Sequence, residues 1–476
     1  MAGEALCSDA SVRHCLGIWR ALHHPPSRPG TSVHHCPGTL AGIRARRLAG
    51  AWMPARRAGR MKGGFSASLC ITRIDMDTFK DLAARHDALM AEAQGMRIRD
   101  RARKLRVTEG ELVARQLGVT ARPIACKPVE ICPKLGSLGR ILCLTRNEWA
   151  VHERYGQFQM VEVNPKVGLV LGTDIDLRLF FSKWTRAWEV NDNGRISLQF
   201  FDREGVAIQK IFQTDDTDLA AWQKLVDEFA LAPAAGRGAQ AADPSPVQAA
   251  SAAVAAGAGA PSAAAVSVGA AAQAAGITPE QAAALLAVRD APVFEPLKPA
   301  VTDHGATLDE AARLHLRNRW LAMTDPHQLW PMLQELKLSR ITALANVGED
   351  LCQQTDLLAI EKVLQYASEH ELPIMVFAGN HAAVQIHGGT VKKLMRAGPW
   401  FNILDPNFNL HVNTDAAVSS WVVNRPTDDG PVTSLELYAD NGDIIVQFFG
   451  LRKPGNPELK AWRALMEGLC AKPLHR

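Results

Sequence analysis

The sequence predicts an α+β fold arranged as a tandem structural repeat, each copy an antiparallel sheet flanked by helices, with a ligand cleft between the halves. Three observations predict it. Short runs of alternating apolar residues follow one another from Ile141 to about Phe212, separated by turn residues and closed by a helix-patterned segment. The second half rereads the first in the same order. A stretch dominated by Ala, Gly, Ser, Pro and Gln separates the two. Strands grouped apart from helices argue against a doubly wound parallel sheet.

Taken in order, residues 1–75 form a head rich in Arg, His, Gly and Pro with neither helical nor strand periodicity, expected to be disordered or outside the natural product. Met76 is the expected start, with Met61 as a second possibility. The head carries eleven Lys or Arg against three Asp or Glu, so the net charge of +4 divides into about +8 there and −4 elsewhere, and the overall balance says nothing for nucleic acid. The run His34 to Pro37 is left unassigned. From Met76 to about Leu117 the pattern is helical, and Thr108 stands as a cap between two helices. That pair superficially resembles a DNA-reading helix-turn-helix, the remote alternative of a DNA-binding regulator, but a packing hairpin is the better reading. The strand runs are ILCLTR, AVHERY, GLVLG, DLRLFF, ISLQFFD and AIQKIF, with NDNG and DREG as turns and a closing helix at Thr217 to Leu231. The first repeat is therefore set at 76–231, the linker at 232–277 and the second repeat at 278–476. Small residues interrupted by Gly and Pro bury too little for a membrane span, and none is expected elsewhere. Nine cysteines without a CxxC pair form neither a disulfide framework nor a zinc ribbon, which fits a reducing cytoplasm.

The repeat is carried by fixed offsets. ILCLTRNEWAVHERYG at Ile141 matches IMVFAGNHAAVQIHGG at Ile374, pairing Asn147 with Asn380 and His152 with Gln385. Arg178 and His411 each follow their Asn by 31 residues, and Trp188 and Trp421 lie ten further on. ISLQFFDREG matches TSLELYADNG, DLAAWQKLVDEF matches ELKAWRALMEGL, and KLRVTEGELVA corresponds loosely to KLSRITALA. Between copies Arg178 becomes His411 and Phe180 becomes Asn413, as site positions diverge where packing positions persist. A cleft between related halves is the natural place for a ligand.

One further stretch, MTDPHQLW, opens a helix: Asp325 caps it, Pro326 suits its first turn, and Leu329, Met332, Leu333 and Leu336 follow at helical spacing. His327 then projects from a helix start, either as a ligand or as a structural histidine. His387 and His411 are read as strand or turn residues, His381 as a turn residue, Trp188 and Trp421 as core, and Asp215 and Asp216 as solvated.

Together NEWAVHE, DLRLFF, MTDPHQLW, NILDPNFNLHV and RPTDDGPVTSLELY resemble the HemS/HmuS family of bacterial cytoplasmic haem-utilisation proteins, also called hemin-degrading factors. The resemblance runs from about Met76 to Cys470 except for the linker. It implies haem held between the halves, with His327 as the axial ligand of the iron. It places Arg178 on the other side of the haem with Phe180 close by, His152 as a second contact proposed in some members, and Arg425, Gln447 and Arg452 as pocket and propionate partners. Phe449 stands where relatives carry a Tyr, so no phenol acts there. This set suits haem: an imidazole ligates iron, apolar side chains cover the ring, and Arg pairs with propionates. Arg178 would also stabilise negative charge developing on its side of the ring, the expected catalytic role; alternatively it is a sheet-surface ion pair. The family implies either oxidative ring opening that releases iron or non-enzymatic delivery of haem, from an uptake transporter to a haem oxygenase or other acceptor. No GxGxxG dinucleotide fingerprint is present, so a degrading activity would draw on an external electron donor.

Overall fold

The computed structural model describes residues 82–93, 95–231, 293–297, 302–453 and 455–476. The head, Met76, the linker and the helical pattern beginning at Thr278 lie outside these residues. The first copy opens with helices α1 (Leu82–Glu92), α2 (Ile98–Leu105) and α3 (Glu109–Ala114). Its strands are β1 (Ala121–Ile124), β2 (Ile141–Arg146), β3 (Ala150–Gly156), β4 (Val161–Val163), β5 (Val167–Leu171), β6 (Asp176–Phe180), β7 (Arg186–Asp192), β8 (Arg195–Phe201) and β9 (Ala207–Phe212), followed by α4 (Leu219–Glu228). The second copy contributes α5 (Glu310–Leu321), α6 (Leu329–Leu336), α7 (Arg340–Asn346), β10 (Cys352–Thr355) and α8 (Ala359–Glu369). It continues through β11 (Ile374–Asn380), β12 (Ala383–Gly389), β13 (Leu394–Ala397), β14 (Trp400–Asp405), β15 (Phe408–Asn413), β16 (Ser419–Arg425), β17 (Val432–Tyr438) and β18 (Ile444–Gly450) to α9 (Lys460–Leu469).

Two nine-stranded antiparallel sheets result, in the orders β1-β7-β8-β9-β2-β3-β15-β14-β13 and β10-β16-β17-β18-β11-β12-β6-β5-β4. The tandem α+β architecture is as expected, but the sheets are not divided one per copy. Each copy builds six strands of one sheet and lends three to the other. The lent strand β6 pairs with β12, setting Arg178 opposite Val384, and β15 pairs with β3, setting His411 opposite Val151. The repeated Asn explains how the exchange is pinned. Asn147 Nδ2 donates to the carbonyls of Gly379 (3.0 Å) and Ile445 (2.9 Å) in the other sheet, and Asn380 Nδ2 donates back to those of Arg146 and Ile208 (2.9 Å each).

Because side chains alternate along a strand, each sheet has two apolar faces to cover. On one, Trp222 and Leu225 of α4 pack on Phe200 and Ile208, and Trp462 and Met466 of α9 pack on Leu435 and Phe448. On the other, α3 packs Val113 on Val190 and Phe201, and α6 packs Met332 and Leu333 into the cluster of Val423 and Tyr438. All six residues of α3 are buried, so it is a packing helix with no face for a DNA groove. No helix among the described residues is long and apolar enough to cross a membrane.

Candidate functional site

Alternation and register place the candidate residues. On the second sheet Arg178 lies opposite Val384, Phe377 opposite Gln447, and Gln447 opposite Glu436, so Arg178, Phe180, Phe377, Gln447, Glu436 and Arg425 share one face. Direct contacts agree: Gln447 Nε2 donates to Glu436 Oε1 (2.9 Å), Phe377 meets Phe449 at 4.9 Å between ring centroids, and the Arg425 guanidinium lies 5.0 Å over Phe449. Strand exchange is what brings Arg178 and Phe180, read from the first copy, onto the same sheet face as Gln447 and Arg425 from the second, with β11 and β12 between Arg178 and Gln447. Phe180 is exposed at the end of β6. Arg178 pairs with Asp176 and donates to the Leu177 carbonyl (3.1 Å), so its side chain is held along the strand.

A buried ionic network underlies this face. Arg340 of α7 donates to both carboxylate oxygens of Glu436 (3.0 and 2.7 Å) and to Tyr438 (2.8 Å), and Ser434 Oγ donates to Glu436 (2.7 Å). Burial alone would raise the Glu436 carboxyl, but the charges of Arg340 and Arg425 outweigh it and hold it at about 2. Burial, opposed by Glu436 and reinforced by Arg340, brings the Arg425 guanidinium down to about 10. Arg425 Nη2 donates to Ser434 (3.2 Å), while its Nε and the indole Nε1 of Trp421 have no acceptor among the described residues. A face with apolar rings and two donors lacking acceptors fits a large flat ligand that carries carboxylates.

His327 approaches from the helical side. Asp325 caps the turn by accepting from His327 N (2.8 Å), and the Gln328 side chain accepts from Asp325 N (3.3 Å), completing a capping box. The same carboxylate lies 2.6 Å from His327 Nδ1. A carboxylate at that distance accepts, so Nδ1 carries a proton and the lone pair of the neutral ring falls on Nε2, the arrangement found in carboxylate-supported metal-ligating histidines. The imidazole is 55% exposed. The turn is tied to the sheet by Asp428 N donating to the Thr324 carbonyl (2.9 Å) and by Trp320 Nε1 donating to the Asn424 carbonyl (3.0 Å). Arg452 joins the same loop through Asp429 (3.0 Å).

His152, expected as a second haem contact, is not brought to this face. It lies on the side of the first sheet turned toward the second, is 0% exposed, and has Phe408 4.9 Å away. Its neighbour on that side, Cys143, accepts at its carbonyl from Gln385 Nε2 (3.2 Å) of the other sheet, so the two sheets meet here. Sequence reasoning missed Arg340, Glu436, Tyr438 and Phe377. A signal for Glu436 was present, a carboxylate between two leucines in a strand pattern; Arg340 gave none, because a helix-start arginine is ordinarily solvated.

Residues 106–229 and 337–469 match the model of the haemin-degrading HemS.ChuX domain, once in each copy. The chain belongs to that family. It is 31% identical over 389 residues to the hemin transport protein HmuS of Yersinia pestis, covering 81% of this chain and 96% of that protein. Apo-PhuS, a heme-binding protein from Pseudomonas aeruginosa, is similar in structure with 34% identity and a TM-score of 0.67, covering 83% of this chain and all of that one (100%). The heme-degrading enzyme ChuS of Escherichia coli O157:H7 follows at 30% identity and a TM-score of 0.65, over 83% and 99% of the two chains.

Proposed function

We propose that this family member binds haem between the start of α6 and the Arg178–Arg425 face of the second sheet, and opens the ring oxidatively to release iron. The observation that carries the reading is His327: an exposed imidazole whose Nδ1 is held by Asp325 and whose Nε2 bears the lone pair an iron needs. His327 is the axial ligand in this reading, Phe180, Phe377 and Phe449 cover the ring, and Arg425, Gln447 and Arg452 serve the propionates. Bound haem is both substrate and the centre that activates dioxygen, with electrons from an external donor. Arg178 is the catalytic residue, stabilising negative charge as it develops on the side away from His327. His152 is left as a buried inter-sheet residue. PhuS and HmuS, named for binding and transport, and ChuS, named for degradation, support haem handling by this chain.

A second reading, a non-enzymatic carrier that passes haem from an uptake transporter to a haem oxygenase or other acceptor, is favoured by Arg178 being tied back to Asp176. Either role suits the cytoplasm, where the five described cysteines, all free, stay reduced. An absorption titration with hemin of the wild type beside His327→Ala tests the site: a one-to-one Soret band is expected, lost or shifted in the variant. Ascorbate in air with catalase present then separates the roles. Decay to a linear tetrapyrrole supports the enzyme, a stable complex that hands haem to an acceptor supports the carrier, and no Soret band overturns both.

A further inference from the structure

We propose that the first copy carries a ligand site of its own, a cavity bounded by α1, α2, α3 and the β7–β8 turn that takes a neutral planar nitrogen heterocycle bearing a carbonyl oxygen. The cavity measures about 250 Å³. It lies where the second copy has solid core. The two copies superimpose here without a gap: Thr108 and Ser339 each cap a helix, and two residues earlier Arg106 and Lys337 each end one in the left-handed region (φ 59° and 52°). This register sets Arg101 against Met332, Gln116 against Val347 and Thr120 against Leu351. The strands confirm it, since Asn191 N donates to the Thr120 carbonyl (2.8 Å) as its counterpart Asn424 N does to that of Leu351 (2.7 Å).

In the second copy the fully buried indole of Trp320 fills this place, packed with Met332, Val347 and Leu351 and donating to the Asn424 carbonyl. In the first copy Asn191 lines the open cavity instead. Val113 and Val190 keep the apolar character of Leu344 and Val423, so two walls still suit a flat ring. The other three positions are polar where the second copy is apolar, and α1 adds the buried His86, whose Nε2 and Nδ1 lie 3.4 Å from Arg101 Nη1 and Gln116 Nε2. A cavity with apolar walls stays dry; walls that carry an Arg, a Gln and a Thr suit a ligand that forms hydrogen bonds.

Charge and orphaned groups narrow the chemistry. Arg101 is 2% exposed; its Nη2 pairs with Asp192 (3.0 Å), and its Nε has no acceptor among the described residues. A buried donor of this kind calls for a carbonyl oxygen on the ligand. Asp192 neutralises Arg101 and the exposed Asp87 adds a negative charge at the mouth, so the lining disfavours an anion.

The test uses the full chain with 2-pyridone as probe, indole as a planar N–H heterocycle without the carbonyl, and benzoate as an anion, each read by saturation-transfer NMR and thermal shift. Saturable 2-pyridone binding is expected, at least tenfold tighter than either comparison ligand. Gln116→Val with Thr120→Leu, the residues that pack in the second copy, should lower it at least tenfold and leave the hemin titration unchanged. Thr120→Leu alone should give a smaller loss, which keeps the test informative where the double variant fails to fold. Absence of 2-pyridone binding, equal binding of indole, tighter binding of benzoate, or binding that survives both substitutions would overturn the proposal. Because the readout is separate from haem, a failed haem titration does not decide it.

Discussion

Asp325 acts on His327 twice, as backbone cap and as partner of Nδ1, and the two actions can be separated. Asparagine caps a helix about as well as aspartate but cannot hold the imidazole as a carboxylate does. Asp325→Asn should therefore leave thermal stability nearly unchanged while weakening hemin binding about tenfold, read from transfer to an apoglobin acceptor. Equal affinity would mean that the carboxylate serves only the turn. A second prediction concerns the histidines between the sheets. Burial, helped by the charge of Arg154, lowers the His387 imidazole to about 3, and burial with the charge of His387 lowers His152 well below its usual range. Both stay neutral in the folded chain and charge near 6.5 when it unfolds. Their contribution is thus complete above pH 6.5 and is lost as pH falls below it, by about 1.4 kcal/mol per pH unit for each histidine. Urea unfolding at pH 6.5 and 5.0 checks this, since the Glu436 carboxyl, held at about 2, gives up its own contribution mainly below about 4.5. His387→Phe, which keeps a ring stacked on Phe408, should remove roughly half of the loss from the pair.

Elements show why some of the site was legible in the sequence and some was not. Strands such as Ile141–Arg146 and Ile196–Phe201 announced themselves by alternation, and the His327 turn by its cap, its proline and the apolar spacing behind it. Strand β7 was missed because Arg186, Glu189, Asn191 and Asp192 interrupt the apolar pattern; Asp192 is explained by its pairing with the buried Arg101 of α2. His152 was legible as a histidine in a strand, but which sheet face it takes depends on a partner strand 256 residues away in the pair Glu153–Asn409, which periodicity cannot reveal. Corresponding helix starts also reverse their charge. Glu109 of α3 pairs with Lys210 of β9, whereas Arg340 of α7 pairs with Glu436 of β17. Either partner alone would be an uncompensated buried ion. Glu436→Gln should therefore destabilise the chain by about 3–5 kcal/mol in urea unfolding, because Arg340 and Arg425 lose their shared counterion. A loss under 1 kcal/mol would show that water reaches Arg340 and that the network is not sealed.

At the scale of the whole chain, exchange of three strands in each direction makes each sheet depend on both copies. Lent strands carry backbone hydrogen bonds across the divide in β6–β12 and β15–β3, and the paired Asn147 and Asn380 add five side-chain bonds to carbonyls of the opposite sheet. The inter-sheet core mixes residues of both copies as well: Leu177, Leu179 and Ala383 share one cluster with Phe200 and Trp222. Separating the copies would expose this apolar surface and leave open edges on β3 and β12, at a cost no covalent link is needed to oppose. A protease site placed within residues 232–277 and cleaved in the native protein should consequently yield two fragments that co-elute as one particle of unchanged size and part only in denaturant. Hemin titration should survive the cut, since Arg178 of the first fragment would still share a sheet face with Gln447 of the second. Fragments that separate on native chromatography would mean that the exchanged strands hold too weakly to define the cleft, and that the linker keeps the two copies together.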